Sequence, residues 1–365
     1  IAVLEHRKPE IPAPLHESQE REPHEGLISE FERPLAAVIG TPTLIGRSLL
    51  VLAGAFLLRA LTEGGTFAPT VGVAVGVLYA AVWIVASAVA ARKAERTSAG
   101  FYAACSAVMV GPLLFEASTS FGVLSPAAST VVLAVMTGGG LVVASRWRLQ
   151  SAAWIFSLGG LVTAAAMATM RPPGQAPTGF LVVLGLAILW LASQHDWDFL
   201  TWVTAFAADL GVLRLTAIAV ASGPRPDSFG PVNPQFVAML QIVFVAVFVG
   251  TFVIRALRGR RPLKVFDFVQ TAAVWVVGWG GALQLARTQG WGTGVLSFIA
   301  VAAGLAAYFG AFGVVDRRQG RNRAFLYLSS LGLGLVLVGL PGVIGGASAV
   351  VWSIGAVVVA AVGSR

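Results

Sequence analysis

Ionisable side chains inside apolar runs are the groups in this chain that could do chemistry. The stretch "AFAADLGVLRLTAIAVA" (205–221) holds Asp209 and Arg214. A charge at the centre of a hydrocarbon layer costs at least about 2.5–3.5 kcal/mol, so it needs a partner or a task. Five residues apart on a helix, the two side chains diverge by about 140°. Facing pairs sit three or four apart, so a direct ion pair is awkward. Depth suggests another partition: Arg214 snorkels outward toward Glu116 of "VGPLLFEAS", and Arg59 competes for the same carboxylate. Arg59, Glu116 and Arg214 then make an outer polar network of two cations and one anion. It either fixes helix register or is completed by an anionic headgroup or substrate. Asp209 stands apart near the midplane. A lone titratable carboxyl there suits a proton-coupled carrier, and equally a helix bonded to a neighbour, for instance through Gln241.

A second, weaker cluster is His195, Asp196 and Asp198 in "SQHDWDFL", which contains the one histidine outside the N-terminal tail. An acid–base or metal site is conceivable there, but Asp196 or Asp198 capping a helix start is the simpler expectation, with Trp197 and Trp202 anchoring the membrane interface. Glu63 in "LTEGGTFAP" occupies the place where lipid-linked-sugar transferases keep an acidic residue, yet its loop is too short to hold a donor and an acceptor. The glycines of "VGWGGALQ" and "LGLGLVLVG" follow no strand and lie within apolar runs, where packing explains them better than nucleotide binding. Cys105 is the single cysteine, which excludes an internal disulfide framework or a cysteine metal site. His6, His16 and His24 lack ligand spacing. No catalytic residue and no metal ligand is therefore assigned, and no cofactor is named.

The elements that position these residues follow from composition. Of 365 residues, 56% are apolar and 12% charged, and the mean hydropathy is +0.80. A soluble domain carries about 25% charged residues, so this surface must face lipid. Twelve runs near the ~20 residues that span a bilayer are expected: 43–63, 71–91, 99–119, 126–145, 150–170, 178–194, 198–222, 235–257, 265–286, 291–313, 324–343 and 345–363. Alternate loops segregate charge. One side holds Arg92, Lys93, Arg96, Arg146, Arg148, Arg255, Arg258, Arg260, Arg261, Lys264, Arg317, Arg318, Arg321 and Arg323; the other holds only Arg171, Arg225 and Arg287. That asymmetry places both termini in the cytoplasm. It also accounts for the net charge of +8 without nucleic acid as a partner. The expected fold is all-α, a polytopic transmembrane helical bundle. A polar cytoplasmic tail (1–40), with an amphipathic interfacial segment at Leu27, Ile28, Phe31 and Leu35, precedes the bundle (41–365). The Pro-rich loop at 222–234 divides the bundle into halves 41–222 and 235–365. The glycines at 72, 76, 138–140, 278, 280, 281, 342 and 346 mark tight crossings. The chain starts at Ile1, so the numbering is expected to begin inside a longer product, and no secretory signal precedes the first run.

The stretch 31–80, "FERPLAAVIGTPTLIGRSLLVLAGAFLLRALTEGGTFAPTVGVAVGVLYA", resembles a family of polytopic bacterial membrane proteins with no assigned function. Phe31, Glu32, Arg47 and Arg59 match its entry motif and first span. "ASQHDWDFLTW" is similar to its tryptophan-rich hairpin, although the arginines of that hairpin are missing here. The likeness covers about residues 1–220 and implies architecture only. The resulting expectation is a bacterial inner-membrane protein, non-catalytic, serving as a scaffold or accessory subunit beside other membrane proteins. The alternative is a transporter or flippase for an anionic or lipid-linked substrate, proton-coupled through Asp209. A membrane-embedded transferase ranks third.

Overall fold

A computed structural model describes residues 68–169, 174–195, 197–221, 232–258, 263–290 and 292–345, with Gly46, Ala53, Gly54, Ala60, Gly64, Val350, Ser353 and Ile354 besides. Among the described residues, ten helices are long and apolar enough to cross a membrane: α1 (Pro69–Arg92), α2 (Arg96–Thr119), α3 (Pro126–Arg146), α4 (Gln150–Thr169), α5 (Gln175–His195), α6 (Asp198–Val220), α7 (Pro234–Arg258), α8 (Val265–Gln289), α9 (Thr293–Arg318) and α10 (Arg323–Ile344). The described residues are all-helical, as expected, and contain no strand. Each helix coincides with one of the inner ten sequence runs. The runs at 43–63 and 345–363, apart from those scattered residues, and the polar tail lie outside the described residues.

Local chemistry sets the boundaries. Proline opens α1, α3 and α7, where its missing N–H and fixed φ suit the first turn. Ser125 caps α3 through the N–H of Ala128 at 3.1 Å. Asn233 takes the N–H of Gln235 at 2.9 Å, and Asn322 takes those of Ala324 and Phe325 at 2.9 and 3.1 Å. The turns α1–α2 and α3–α4 are built alike. Ala94 and Arg148 adopt φ of 62° and 52°, and the following N–H groups of Glu95 and Leu149 return to the carbonyls of Ala90 and Ala144. This is a Schellman closure, made here without the glycine that usually occupies the left-handed position.

Consecutive helices joined by short turns pack as hairpins, α1 on α2, α5 on α6 and α9 on α10. The turns after α1, α3, α5, α7 and α9 therefore share one end, called the basic end below, since it carries Arg92, Arg146, Arg258, Lys264 and Arg318. In α7, Phe244, Phe248 and Phe252 recur every fourth residue, and all three are wholly buried, so this helix forms the spine of the second half. Water does not drive helix association within lipid; close packing and internal hydrogen bonds do.

The glycine expectations divide. Gly140 lies under the Phe156 ring and Gly342 against Ser297, whereas Gly138 and Gly139 meet nothing within 4 Å. One close backbone approach involves a pair that spacing did not single out. A Cβ on Gly304 of α9 would lie 2.8 Å from the carbonyl oxygen of Gly332 of α10, and the converse distance is also 2.8 Å. Gly332→Leu should therefore destabilise the protein by about 1–3 kcal/mol or more through overpacking, while Gly138→Leu leaves it unchanged. Thermal unfolding of the two detergent-solubilised variants checks the contrast.

Candidate functional site

Buried polarity is not spread evenly through the bundle. In α1–α5 the buried polar side chains are serines and threonines. Several bond carbonyls of their own helix, as Thr163 does to Gly159, or of a neighbour, as Ser87 of α1 does to Ala99 of α2, whereas the hydroxyls of Ser106, Ser129 and Ser157 are buried without a protein partner. Every buried carboxylate and side-chain amide among the described residues lies on α6, α7 or α8: Asp209, Gln241, Asp267 and Gln270.

At the basic end, Asp267 occupies the first turn of α8 and is 1% exposed. Its Oδ2 accepts the backbone N–H of Lys264 at 2.9 Å, which satisfies an orphan donor of the helix start. Its Oδ1 accepts Nη1 of Arg255, at the end of α7, at 3.0 Å. Lys264 reaches across to α6, where its ammonium donates to both oxygens of Asp198 at 2.6 and 2.7 Å. These two ion pairs line a cavity of about 490 Å³ between α5, α6, α7 and α8, whose remaining wall includes Leu189, Thr201, Trp202 and Phe266.

Inward of the cavity the polar line continues along α8. Gln270, one turn beyond Asp267, donates Nε2 to both oxygens of Asp209 at 3.0 and 3.2 Å. Thr271 donates to the carbonyl of Asp267 at 2.6 Å and so accepts from the hydroxyl of Tyr327 on α10, 2.9 Å away. Deeper still, Gln241 of α7 donates to Thr216, two turns along α6 from Asp209. Gly281 leaves room for that contact, since a Cβ there would lie 2.5 Å from the Gln241 nitrogen. Between Gln270 and Gly281, α8 passes through a π-helical turn at Trp275–Trp279, closed by the N–H of Gly280 on the carbonyl of Trp275. Such turns interrupt helices at functional sites more often than elsewhere. The indole N–H groups of Trp275 and Trp279 and the Gln241 side-chain oxygen are buried there with no protein partner.

The sequence-derived candidates fall out as follows. Asp209 is buried and hydrogen-bonded to a neighbouring helix, but through Gln270 rather than Gln241. No ion pair among the described residues involves it. Arg214 does not pair with Glu116. Its guanidinium donates to the carbonyl of Ala168, in the last turn of α4, where a cation complements the orphan carbonyls and the helix dipole. Glu116 sits half-buried in the last turn of α2. Arg59, Glu63 and Asp196 lie outside the described residues. Asp198 does not cap α6: the cap position is Trp197, without a side-chain bond, and Asp198 in the first turn holds Lys264. Trp197 is 4% exposed and stacked on His195 at 4.9 Å, so it is packed within the protein instead of anchoring the interface. Trp202 is partly exposed and lies edge-on to Phe266. Among the described residues no cluster of three or more His, Cys, Asp or Glu side chains is placed to hold a metal ion.

Sequence reasoning passed over Arg255, Lys264, Asp267, Gln270, Thr271 and Tyr327. Arg255 and Lys264 counted only as charges that set topology. The signal that was available is "DFVQT", in which Asp267, Gln270 and Thr271 at i, i+3 and i+4 put a polar stripe on one face of an otherwise apolar span.

No protein-family model, curated protein or solved structure matches the chain. The site must be read from its own geometry.

The two ion pairs differ in what they contribute. Removing the buried Asp267 carboxylate with Asp267→Ala strands the Arg255 cation and a helix-start N–H. It should cost about 3–5 kcal/mol. Lys264→Ala keeps that N–H and loses only an exposed pair, at about 1 kcal/mol or less. Chemical unfolding in detergent should order the variants accordingly.

Proposed function

We propose that this multi-pass membrane protein is a proton-coupled carrier of a small polar solute. The observation that supports the reading best is the confinement of all described buried carboxylates and amides to one line on α6–α8, beginning at the floor of a cavity that opens at the basic end. A protein whose polar side chains served helix registry alone would have no need to align them behind a solute-sized cavity. The cavity holds the solute between the ends of α5–α8. Asp209, a turn and more inward, exchanges a proton between the two sides. Gln270 donates to either oxygen of that carboxyl, and so offers a partner to the charged and the neutral form alike. The cavity lining ends at Asp267 and Thr201, short of Asp209, which suits a state closed on its inner side. The π-helical turns of α8 and of α9 (Gly310–Val315) are the places where these helices can flex between states.

In the same reading the basic end faces the cytoplasm of a bacterial cell, the protein resides in the inner membrane, and the runs at 43–63 and 345–363 complete twelve spans with both termini inside. These assignments follow the positive-inside bias.

The scaffold or accessory-subunit reading stands second, on one observation. On α1, Val71, Val75, Leu78, Val82, Val85 and Val89 are all exposed and recur at alternating intervals of four and three. Such a stripe is an apolar face along which a helix of another subunit can pack in a left-handed supercoil. Mass spectrometry of gently solubilised native complexes tests it: stoichiometric protein companions would support this second reading.

The carrier reading has its own test. Proteoliposomes containing a trapped pH-sensitive dye are challenged with a panel of amino acids and phosphoesters. A solute that triggers acidification of the lumen is expected with the wild-type protein. Asp209→Asn should abolish that proton flux while preserving exchange of labelled solute across the membrane. Proton flux that is indifferent to Asp209 would sink the proposal.

A further inference from the structure

We infer that the cavity at the basic end binds a small zwitterion: a molecule carrying an ammonium group, a carboxylate or phosphate, and an apolar part. The inference deepens the carrier reading and rests on it for the transport step, though not for binding. The volume of about 490 Å³ falls within the ~300–1,000 Å³ of small-molecule sites. Its charged lining is made of two opposite pairs, Lys264 with Asp198 and Arg255 with Asp267, which sum to no formal charge. A singly charged solute would leave one charge uncompensated against walls that include Leu189, Trp202 and Phe266. A zwitterion leaves none.

The pairs also differ in availability. Asp267 is committed at both oxygens, to Arg255 and to the Lys264 backbone N–H. Arg255 gives only one N–H of its fork to Asp267, and its guanidinium carbon lies 5.8 Å from the Phe252 ring centre, which holds the group in place. Its remaining donors suit a second acid group, the geometry arginine recognises best. The Lys264 and Asp198 side chains are about half exposed, at 51% and 57%, and an exposed pair of this kind contributes little to stability. It opens at little cost. Lys264 then joins Arg255 on the acid group of the ligand, and Asp198 receives its ammonium. The backbone N–H of Lys264 stays on Asp267 throughout, so the exchange needs no movement of a helix. The apolar part of the ligand packs on Trp202 and Phe266, which already meet edge to face at 4.9 Å.

Free amino acids and the phosphoethanolamine headgroup of a lipid share this chemistry, and a titration panel separates them. Full-length protein in detergent is titrated calorimetrically with L-phenylalanine, the phosphodiester glycerophosphoethanolamine, L-phenylalaninamide as the cation alone, and 3-phenylpropionate as the anion alone. At least one zwitterion should bind roughly tenfold or more tightly than either singly charged probe. Preference for phenylalanine marks a free solute; preference for glycerophosphoethanolamine marks a headgroup. Asp198→Asn should erase the discrimination against 3-phenylpropionate, and Lys264→Gln should weaken both zwitterions. Silence toward both zwitterions, equal binding of the singly charged probes, or full discrimination retained in folded Asp198→Asn each overturns the inference. The wild-type panel decides the matter even if a variant does not fold. Zwitterion binding without Asp209-dependent proton flux would overturn the carrier reading alone. Coupled uptake of a singly charged solute would overturn the zwitterion alone.

Discussion

Water is missing from the layer in which this bundle sits, so each polar group there must find its partner inside the protein. That constraint shapes every level of the structure. It makes the chain helical, because a helix satisfies its own backbone within one segment. It makes threonine and serine turn back on carbonyls of the preceding turn or of a neighbouring helix. It also leaves the few groups that cannot be satisfied locally, Asp209, Gln241, Asp267 and Gln270, to be satisfied across helices. Those cross-helix bonds tie α6, α7 and α8 to one another and, through Tyr327, to α10. The rest of the second half is packed around them by the Phe244, Phe248 and Phe252 spine.

The two halves of the described bundle solve the same problem with different chemistry. In α1–α5 the helices close on small side chains, and the buried polar residues among those described are serines and threonines. The α9–α10 hairpin is closed by Gly304 and Gly332, whose backbones come close enough to forbid a side chain. Between these regions, α6–α8 accept larger polar side chains, a cavity and an interrupted helix. Close-packed small-residue seams are stiff, whereas a polar line broken by a π-helical turn offers discrete alternative pairings. A close-packed first half beside an adjustable centre is the mechanical arrangement that a carrier requires, and the α1 stripe adds a surface on which a neighbour can lie.

Arg214 and Asp209, adjacent in the same apolar stretch, turn out to do unrelated things. The five-residue interval makes their mutual pairing awkward, because helix geometry turns the two side chains apart. What each binds instead depends on which helix lies opposite. Arg214 meets the end of α4, a backbone acceptor that no residue type announces. Asp209 meets α8 near its start rather than α7, since the side chain opposite it is Gln270, while Gln241 lies against Thr216. The Asp198 cap failed for a similar reason: a lysine 66 positions away offered both carboxylate oxygens a stronger partner than a backbone N–H does.

The sequence by itself determined the helical class, ten helix positions and the segregation of basic loops to one end, because span length, hydropathy and charge are properties of contiguous residues. It also determined that Asp209 needs a partner, since its depth follows from its place in the span. Tertiary structure alone decided which partner that is, which glycines are crowded, and that Asp198, Arg255, Lys264 and Asp267 converge on one cavity. Those outcomes depend on how helices rotate and cross, and rotation is set by the summed packing of faces remote in the chain. A stripe such as Asp267, Gln270 and Thr271 shows that a helix has a polar face. Only the neighbours it meets show what that face is for.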